Sequence, residues 1–521
     1  MEQRALDNIV VVGGGTAGWL SALYAQIVLP TSKITVVESK DIGILGAGEG
    51  TVPDFIHFTD FLGIPISRLV RDADATIKNS IKFTNWTGDG SHFHHSFYTE
   101  DNLGLDGCNI LHPNMCQTNI GIILNTIRQQ PLDQIDIVDL AGRSNKAAFT
   151  YNGSLLGQNS NPIFDYDIKT RFALHFNAVK LAGVLRSIGE ERGIKTVDAK
   201  VLSVEKNHNK DIVKLNLDSN SSIPVDFMFD CTGFGRVFIG KEFDAEWVSH
   251  SKTLTVSAAV PFFLPLDSEQ IPAYTESIAM KYGWMWVIPT RERYGCGYVY
   301  DSSMISEEEA IAEIEEHLGF APEYPRKDKG GFKFEAGYYT APWVNNCVAI
   351  GLSGGFIEPL EATSIWVTTQ TLQDVLSNAN NMRLIDPRPA AAVNKKFVDR
   401  SRQVLDFIYY HYMSGRKDTP FWEHYNEENA PDSLKELIEK WKYSIPEYTD
   451  FTNRLFVLNS WMMIARGKNQ IDIELAKSVA DVGMFESKIG FTYDTLVQRK
   501  KEVVDRFVSH GELLKRLANE V

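Results

Sequence analysis

Apolar residues open the chain in a dense block, "IVVVGGGTAGWLSALYAQIV" (9–28). Ile9–Val12 is a short unbroken apolar run closed by glycines, the pattern of a strand buried on both faces. After the glycine turn, apolar positions return at helical spacing over Ala17–Val28. A second strand follows at Ile34–Glu38, then the glycine-rich loop "GILGAGEG" (43–50). The theme repeats over 167–231. A helix is expected at Ala178–Arg192, then two strands within "IKTVDAKVLSVEK" and "DIVKLNLDSN" expected to pair, then "VDFMFDCTG". The 253–300 region is strand-rich. "SEEEAIAEIEEHLG" (306–319) is an amphipathic helix whose early acids suit the positive end of its dipole. Past about residue 376 the pattern turns charged and helical, with "SLKELIEKWKY" and "YDTLVQRKKEVVDRFVSHGELLKRL". The order is α/β first and α afterwards, which predicts a division into 1–375 and 376–521.

One strand is unusual. In "YGWMWVIP" (282–289) the alternation puts Trp284 and Trp286 on one face, two of the ten tryptophans in the chain. Core packing is the ordinary explanation for such a pair, since aromatic rings dominate buried area.

Composition narrows the partners. The chain has 521 residues, 44% of them hydrophobic, enough for a large core and for two or three domains. A net charge of −15 argues against nucleic acid or anionic membrane, both of which want a basic face. The longest apolar stretch, "LTVSAAVPFFLPL" (254–266), is too short to span a bilayer and holds two prolines. No leader pattern precedes the first strand. The five cysteines form no C-x-x-C pair, which reads as a reduced, cytoplasmic protein without structural zinc, in which the sequons at 85–87 and 152–154 mean little. A homo-oligomer stays compatible with all of this.

"VVGGGTAGW" supplies Gly13-x-Gly15-x-x-Gly18 between a strand and a helix, and the acid Glu38 ends the next strand 20 residues on. Gly13 permits the tight turn, Gly15 lets a pyrophosphate approach the backbone, and Gly18 lets helix and strand pack closely. The helix start, with Thr16 and Ala17, holds the anion, and Glu38 takes the ribose hydroxyls. "DCTGFG" (230–235) and "NCVAIGLSGGFIEPLEATSIW" (346–366) are two further segments able to return to one dinucleotide. That suits FAD, and no second glycine fingerprint is present for NAD(P)H. The fold class is therefore α/β, an FAD-dependent monooxygenase-like fold with a Rossmann-type ββα FAD-binding unit and a mainly helical C-terminal substrate region. Residues 1–375 are expected to form an FAD-binding module with an inserted strand-rich substrate lobe, and 376–521 a helical region expected to complete the substrate site.

Four stretches together resemble one family, the flavin-dependent halogenases best known for acting on tryptophan: "GGGTAGW", "ATIKNSIKFTNW" (75–86), "GWMWVIP" and "GFIEPLEATSI" (355–365). The resemblance runs over about residues 8–370 and, more weakly, at "NSWMMIARG" (459–467). It implies an enzyme using FADH2 from a separate flavin reductase, oxygen and a halide ion. The hypohalous acid so formed travels to a small electron-rich aromatic substrate. It implies that Trp284 and Trp286 are a barrier keeping the organic substrate from the flavin, where it would be hydroxylated.

Lys78 matches the family's essential lysine. Its ammonium can polarise hypohalous acid, or its amine can form a haloamine, and burial would leave both open. Glu361 matches the active-site carboxylate, with Glu358 the lesser alternative. Thr363 and Ser364 occupy the halide-binding positions at a helix start. The family usually reads Ser-Thr-Gly there, against Ala362-Thr363-Ser364 here. The added side chain alters the pocket and points toward bromide or iodide, which are more easily oxidised than chloride. For FAD the resemblance adds Glu49, Val201, Leu352 and Ile365, and it makes 46–53 a strap over the flavin ring, with Gly50 where the family has alanine.

On the substrate side, "SHFHHSFY" (91–98) lies near the family's His-Pro-Phe segment, so His94 and Phe97, with Trp461, are weak substrate-binding candidates. His92, His94 and His95 as metal ligands lack a carboxylate or cysteine pattern to complete a site, and no metal is expected. Two alternatives stand beside the halogenase reading. An FAD-dependent aromatic hydroxylase shares the glycine fingerprint but does not account for Trp284 and Trp286 together with Lys78. A flavin-binding protein without chemistry does not account for Lys78 and Glu361.

Overall fold

The structure is a computed structural model that describes residues 6–41, 48–97, 120–150, 172–267, 270–326, 328–377, 387–451, 455–479, 493–505 and 507–519. Part of the strap, residues 46 and 47, lies outside them, as do Tyr98, Cys108 and Cys116.

A six-stranded sheet organises the first half. Its central strands, Phe227–Asp230, Asn8–Val12, Lys33–Glu38 and Lys195–Asp198, run parallel in that order, with Cys347–Ala349 and Trp343–Val344 on the other edge. Ile9 and Val11 face one core, with the helices Thr16–Val28 and Ala178–Glu191, and Val10 and Val12 face another. Burial on both faces is why the strand reads as an unbroken apolar run.

The second sheet has seven strands, ordered Phe332–Lys333, Ala258–Pro265, Arg293–Tyr300, Gly283–Pro289, Tyr274–Ala279, Ser80–Thr84 and His92–Ser96. Gly283–Pro289 is central. Trp284, Trp286 and Ile288 face the largest core, while Met285 packs on the opposite side under the helix Glu307–Leu318. Trp286 lies opposite Gly297, where a Cβ would sit 2.1 Å from the indole. The neighbouring strand gives up a side chain so that the ring fits.

The largest core also takes in Phe407, Tyr410, Tyr412, Trp422 and Trp461 from helices after residue 387. The helix Pro387–Tyr412 shares apolar packing with strands of the second sheet, so among the described residues one core joins the helical region to that sheet. Two expected elements differ. "IKTVDAKVLSVEK" holds two strands in different sheets: Lys195–Asp198 joins the parallel sheet, and only Val201–Lys206 pairs with Ile212–Leu217. "VDRFVSHGE" is not one continuous helix. The helix Tyr493–Asp505 ends, Phe507–Ser509 pairs with Lys146–Thr150, and a new helix begins at His510. β-Branched and aromatic residues there found a strand partner far away in sequence, which periodicity cannot reveal.

Candidate active site

Three glycine turns follow three adjacent strands of the parallel sheet, at Gly13–Gly18, Gly233–Gly235 and Gly351–Gly355. Gly13 has φ +121°, and a Cβ there would lie 2.1 Å from the Cys231 carbonyl. A Cβ on Gly18 would lie 1.9 Å from the Gly13 carbonyl, so helix and turn touch through the missing side chain. Gly15 has no atom within 4 Å of that position, leaving its backbone open at the helix start, as a pyrophosphate requires. Gly14 packs against the Glu38 carboxylate, which Arg186 holds at 2.7 Å. The residues fit a dinucleotide.

Two of the other predicted flavin contacts, Leu352 and Ile365, lie near this turn. Gly351 (φ +70°) leaves room for Ala17, and Ile365 shares a core with Ala17. Leu352 is in the same turn, and Val201 packs beside Val12 and Val37. Glu49 lies on a two-residue strand paired with His175–Phe176, and burial pushes its carboxyl up to about 7.

The segment after the third turn carries the acids. Glu358 is buried. It accepts hydrogen bonds from Trp284 Nε1 at 3.0 Å and the Tyr412 hydroxyl at 2.9 Å, and burial pushes its carboxyl up to about 8. Glu361 and Ala362 both take the left-handed conformation, φ 67° and 53°, uncommon for residues with a Cβ and costly by about 1 kcal/mol or more each. That double bend turns Glu361 to the opposite neighbours from Glu358. His95 Nδ1 lies 2.8 Å and His411 Nε2 2.9 Å from its carboxylate. Burial alone would raise the Glu361 carboxyl, but His95 and His411 outweigh it and hold it at about 2. The helix Thr363–Leu376 starts at once, with no side-chain cap. Thr363 and Ser364 line a small cavity with Glu358, Gly351 and Gly355.

Lys78 is fully buried on the strand Thr76–Lys78 and donates to the Thr51 carbonyl at 3.1 Å. Its Nζ would be 3.2 Å from a Cβ on Gly50, whose Cβ position is also 3.6 Å from that of Ala362. A side chain at position 50 would therefore crowd the lysine ammonium. Burial lowers the ammonium to about 8, the nearby Glu361 charge partly opposing it. Phe97 lies with its ring 5.4 Å from Nζ. Lys82, four residues on, instead pairs with Glu276 at the part-exposed sheet surface.

A family model described as tryptophan halogenase matches residues 8–482. The chain belongs to this family. Tryptophan 6-halogenase SttH from Streptomyces toxytricini is 31% identical over 548 residues, covering all of both chains. Tryptophan 7-halogenase RebH from Lentzea aerocolonigenes is 33% identical, over 84% of this chain and 82% of its own. Among solved structures, BrvH, a flavin-dependent halogenase from Brevundimonas sp. BAL3, superposes with a TM-score of 0.81 at 28% identity, covering 98% of this chain and 99% of that one. The protein is thus a flavin-dependent halogenase by family, an enzyme of the oxidoreductase type.

In this halogenase Lys78, Glu361, Phe97 and the tryptophan pair come together around one segment. His94 does not join them. Side chains alternate along His92–Ser96, so His95 faces Glu361 and Phe97, while His94 faces Ser80 and Asp139. Neither His94 nor His95 is a surface residue, at 2% and 3% exposure. Trp461 is buried in an aromatic cluster with Phe407, Tyr410, Trp441 and Phe451, and Phe407 in turn packs on His95 and His411. His411 and Tyr412, which reach both acids, were not singled out from sequence. Their signal was "FIYYHY" (407–412), an all-buried run ending an otherwise charged helix. Among the described residues no helix is long and apolar enough to cross a membrane.

Proposed function

We propose that this enzyme halogenates a small electron-rich aromatic, an indole or phenol, with hypohalous acid made at the flavin and carried by Lys78. Reduced FAD, delivered by a separate flavin reductase, supplies with oxygen the two-electron oxidation of halide. Gly13, Gly15, Gly18 and Glu38 hold its dinucleotide. The uncapped helix start at Thr363 and Ser364 offers backbone N–H groups to the halide. Trp284 and Trp286 admit only the small halogen species to the far side, where Phe97 beside Lys78 meets the aromatic ring.

The ammonium form of Lys78 donates a hydrogen bond to the hypohalous oxygen and polarises the O–X bond. As the aromatic carbon bonds to the halogen, the O–X bond breaks and the Lys78 proton completes water. The ring proton passes to Glu361. A carboxylate held near 2 is a weak base, but the proton of a cationic σ-complex is strongly acidic, so a weak base suffices. The added Ser364 side chain favours bromide over chloride.

The observation that carries this reading is a single segment, 351–364, bearing flavin turn, indole anchor and reactive acid in that order. A hydroxylase gains nothing from a buried lysine beside that acid. Mass spectrometry after incubation with reductase, NADH, FAD, bromide and an indole panel tests it. A bromine isotope doublet is expected, and a gain of one oxygen without bromine would establish the hydroxylase instead. Equal chlorination and bromination in direct competition would remove the halide preference.

A further inference from the structure

On the face of strand His92–Ser96 turned away from Glu361, two imidazoles and a carboxylate converge. His92 and His94, two residues apart on the strand, point the same way. Asp139, 47 residues on from His92, arrives from the helix Ile137–Gly142, which packs against the strand. Asp139 Oδ1 lies 3.0 Å from His92 Nε2 and 3.4 Å from His94 Nε2, and the three ligand atoms all fall within 4.8 Å of one another. Ligands about 2.0–2.1 Å from a tetrahedral zinc stand roughly 3.3 Å apart, so the two measured spacings match.

The surroundings suit a metal as well. His94 Nδ1 is 2.8 Å from the Ser80 hydroxyl, the hydrogen bond that fixes the ring with Nε2 toward the cluster. Arg143 donates to the other Asp139 oxygen at 2.8 Å and orients the carboxylate, leaving Oδ1 to the histidines. His94 and Asp139 are buried, while the His92 side chain is 35% exposed and gives an ion an entry from solvent. Without metal, His92 Nε2 hydrogen-bonds to Asp139 Oδ1 and His94 Nε2 lies beside the same oxygen; an ion bound at both Nε2 atoms leaves each ring proton on Nδ1, where Ser80 can accept that of His94.

We propose that His92, His94 and Asp139 form a binding site for a borderline divalent transition-metal ion, Zn2+ foremost, clipping the strand to the helix with a fourth position open to water. The ion lies outside the halogenation site, but the strand it fastens carries His95, the partner of Glu361. Its role is to fix that strand.

Calorimetric titration of the full chain, first stripped with a chelator, with ZnCl2 alone tests this without flavin, halide or aromatic. One equivalent should bind with micromolar or tighter affinity, and Co2+ in its place should show the visible spectrum of a low-coordinate N/O site. His92→Gln and Asp139→Asn should each weaken binding at least tenfold. His92→Gln replaces a part-exposed side chain, and circular dichroism confirms that the variant is folded. Millimolar, multi-site binding of all three ions Zn2+, Ni2+ and Co2+, or tight binding unaffected by His92→Gln, would overturn the assignment and leave a histidine–aspartate hydrogen-bond cluster.

Discussion

At the residue scale, burial distinguishes Lys78 from Lys82 and sets the pH range of its proposed role. With its ammonium at about 8, roughly nine in ten Lys78 side chains are charged at pH 7. If the ammonium acts, halogenation should fall about tenfold per pH unit above 8 once flavin reduction is kept in excess; a rate rising toward pH 8 and then levelling would point to the amine and a haloamine. Lys78→Ala should lower halogenation at least a hundredfold while FAD affinity stays within about twofold, as fluorescence titration would measure. Near-parental halogenation in that variant would remove Lys78 from the chemistry. Motifs alone pointed to Lys78 and Glu361, which the structure buries within electrostatic reach of each other. Residue-level reading from sequence was weakest in "HFHHS", because three near-adjacent histidines carry no sign of which face each takes. Only pairing with Ser80–Thr84 sets that parity.

At the scale of elements, glycines separate folding from binding. Gly15→Ala should leave thermal stability nearly unchanged, since its Cβ meets nothing, yet weaken FAD binding tenfold or more by entering the space a pyrophosphate needs. Gly18→Ala must push helix from turn and should lower the melting temperature as well. Equal stability losses in both would contradict this division. The acid-bearing segment gives a second test. The Glu358 carboxyl, raised to about 8, contributes stability fully present below its unfolded value near 4.5 and lost as pH rises through 8. Glu358→Gln keeps acceptors for Trp284 and Tyr412, so its melting temperature should match the parent near pH 5 and exceed it above pH 8. Glu361, depressed to about 2, has the opposite sign, its stability present above 4.5 and lost on acidification toward 2. The strand–glycine–helix unit was legible because its apolar run and glycines are contiguous. The left-handed pair Glu361–Ala362 was not, because neither residue type signals a positive φ.

At the scale of the molecule, the long helix Pro387–Tyr412 ends where the two acids sit, giving His411 to one and Tyr412 to the other. Helical character after residue 376 was readable from charge and periodicity. Its junction with the tryptophan strand was not, because it joins segments more than a hundred residues apart in one core. That shared core fixes the indole pair at two points: Trp284 through Glu358 to the segment after the third glycine turn, Trp286 through its fit against Gly297 to the sheet. The most direct test of the separation is a crystal structure with FAD and a brominated aromatic substrate bound together. The ring should lie beside Lys78 and Glu361, with Trp284 and Trp286 standing between it and the isoalloxazine; a ring stacked directly on the flavin with both indoles displaced would contradict the account.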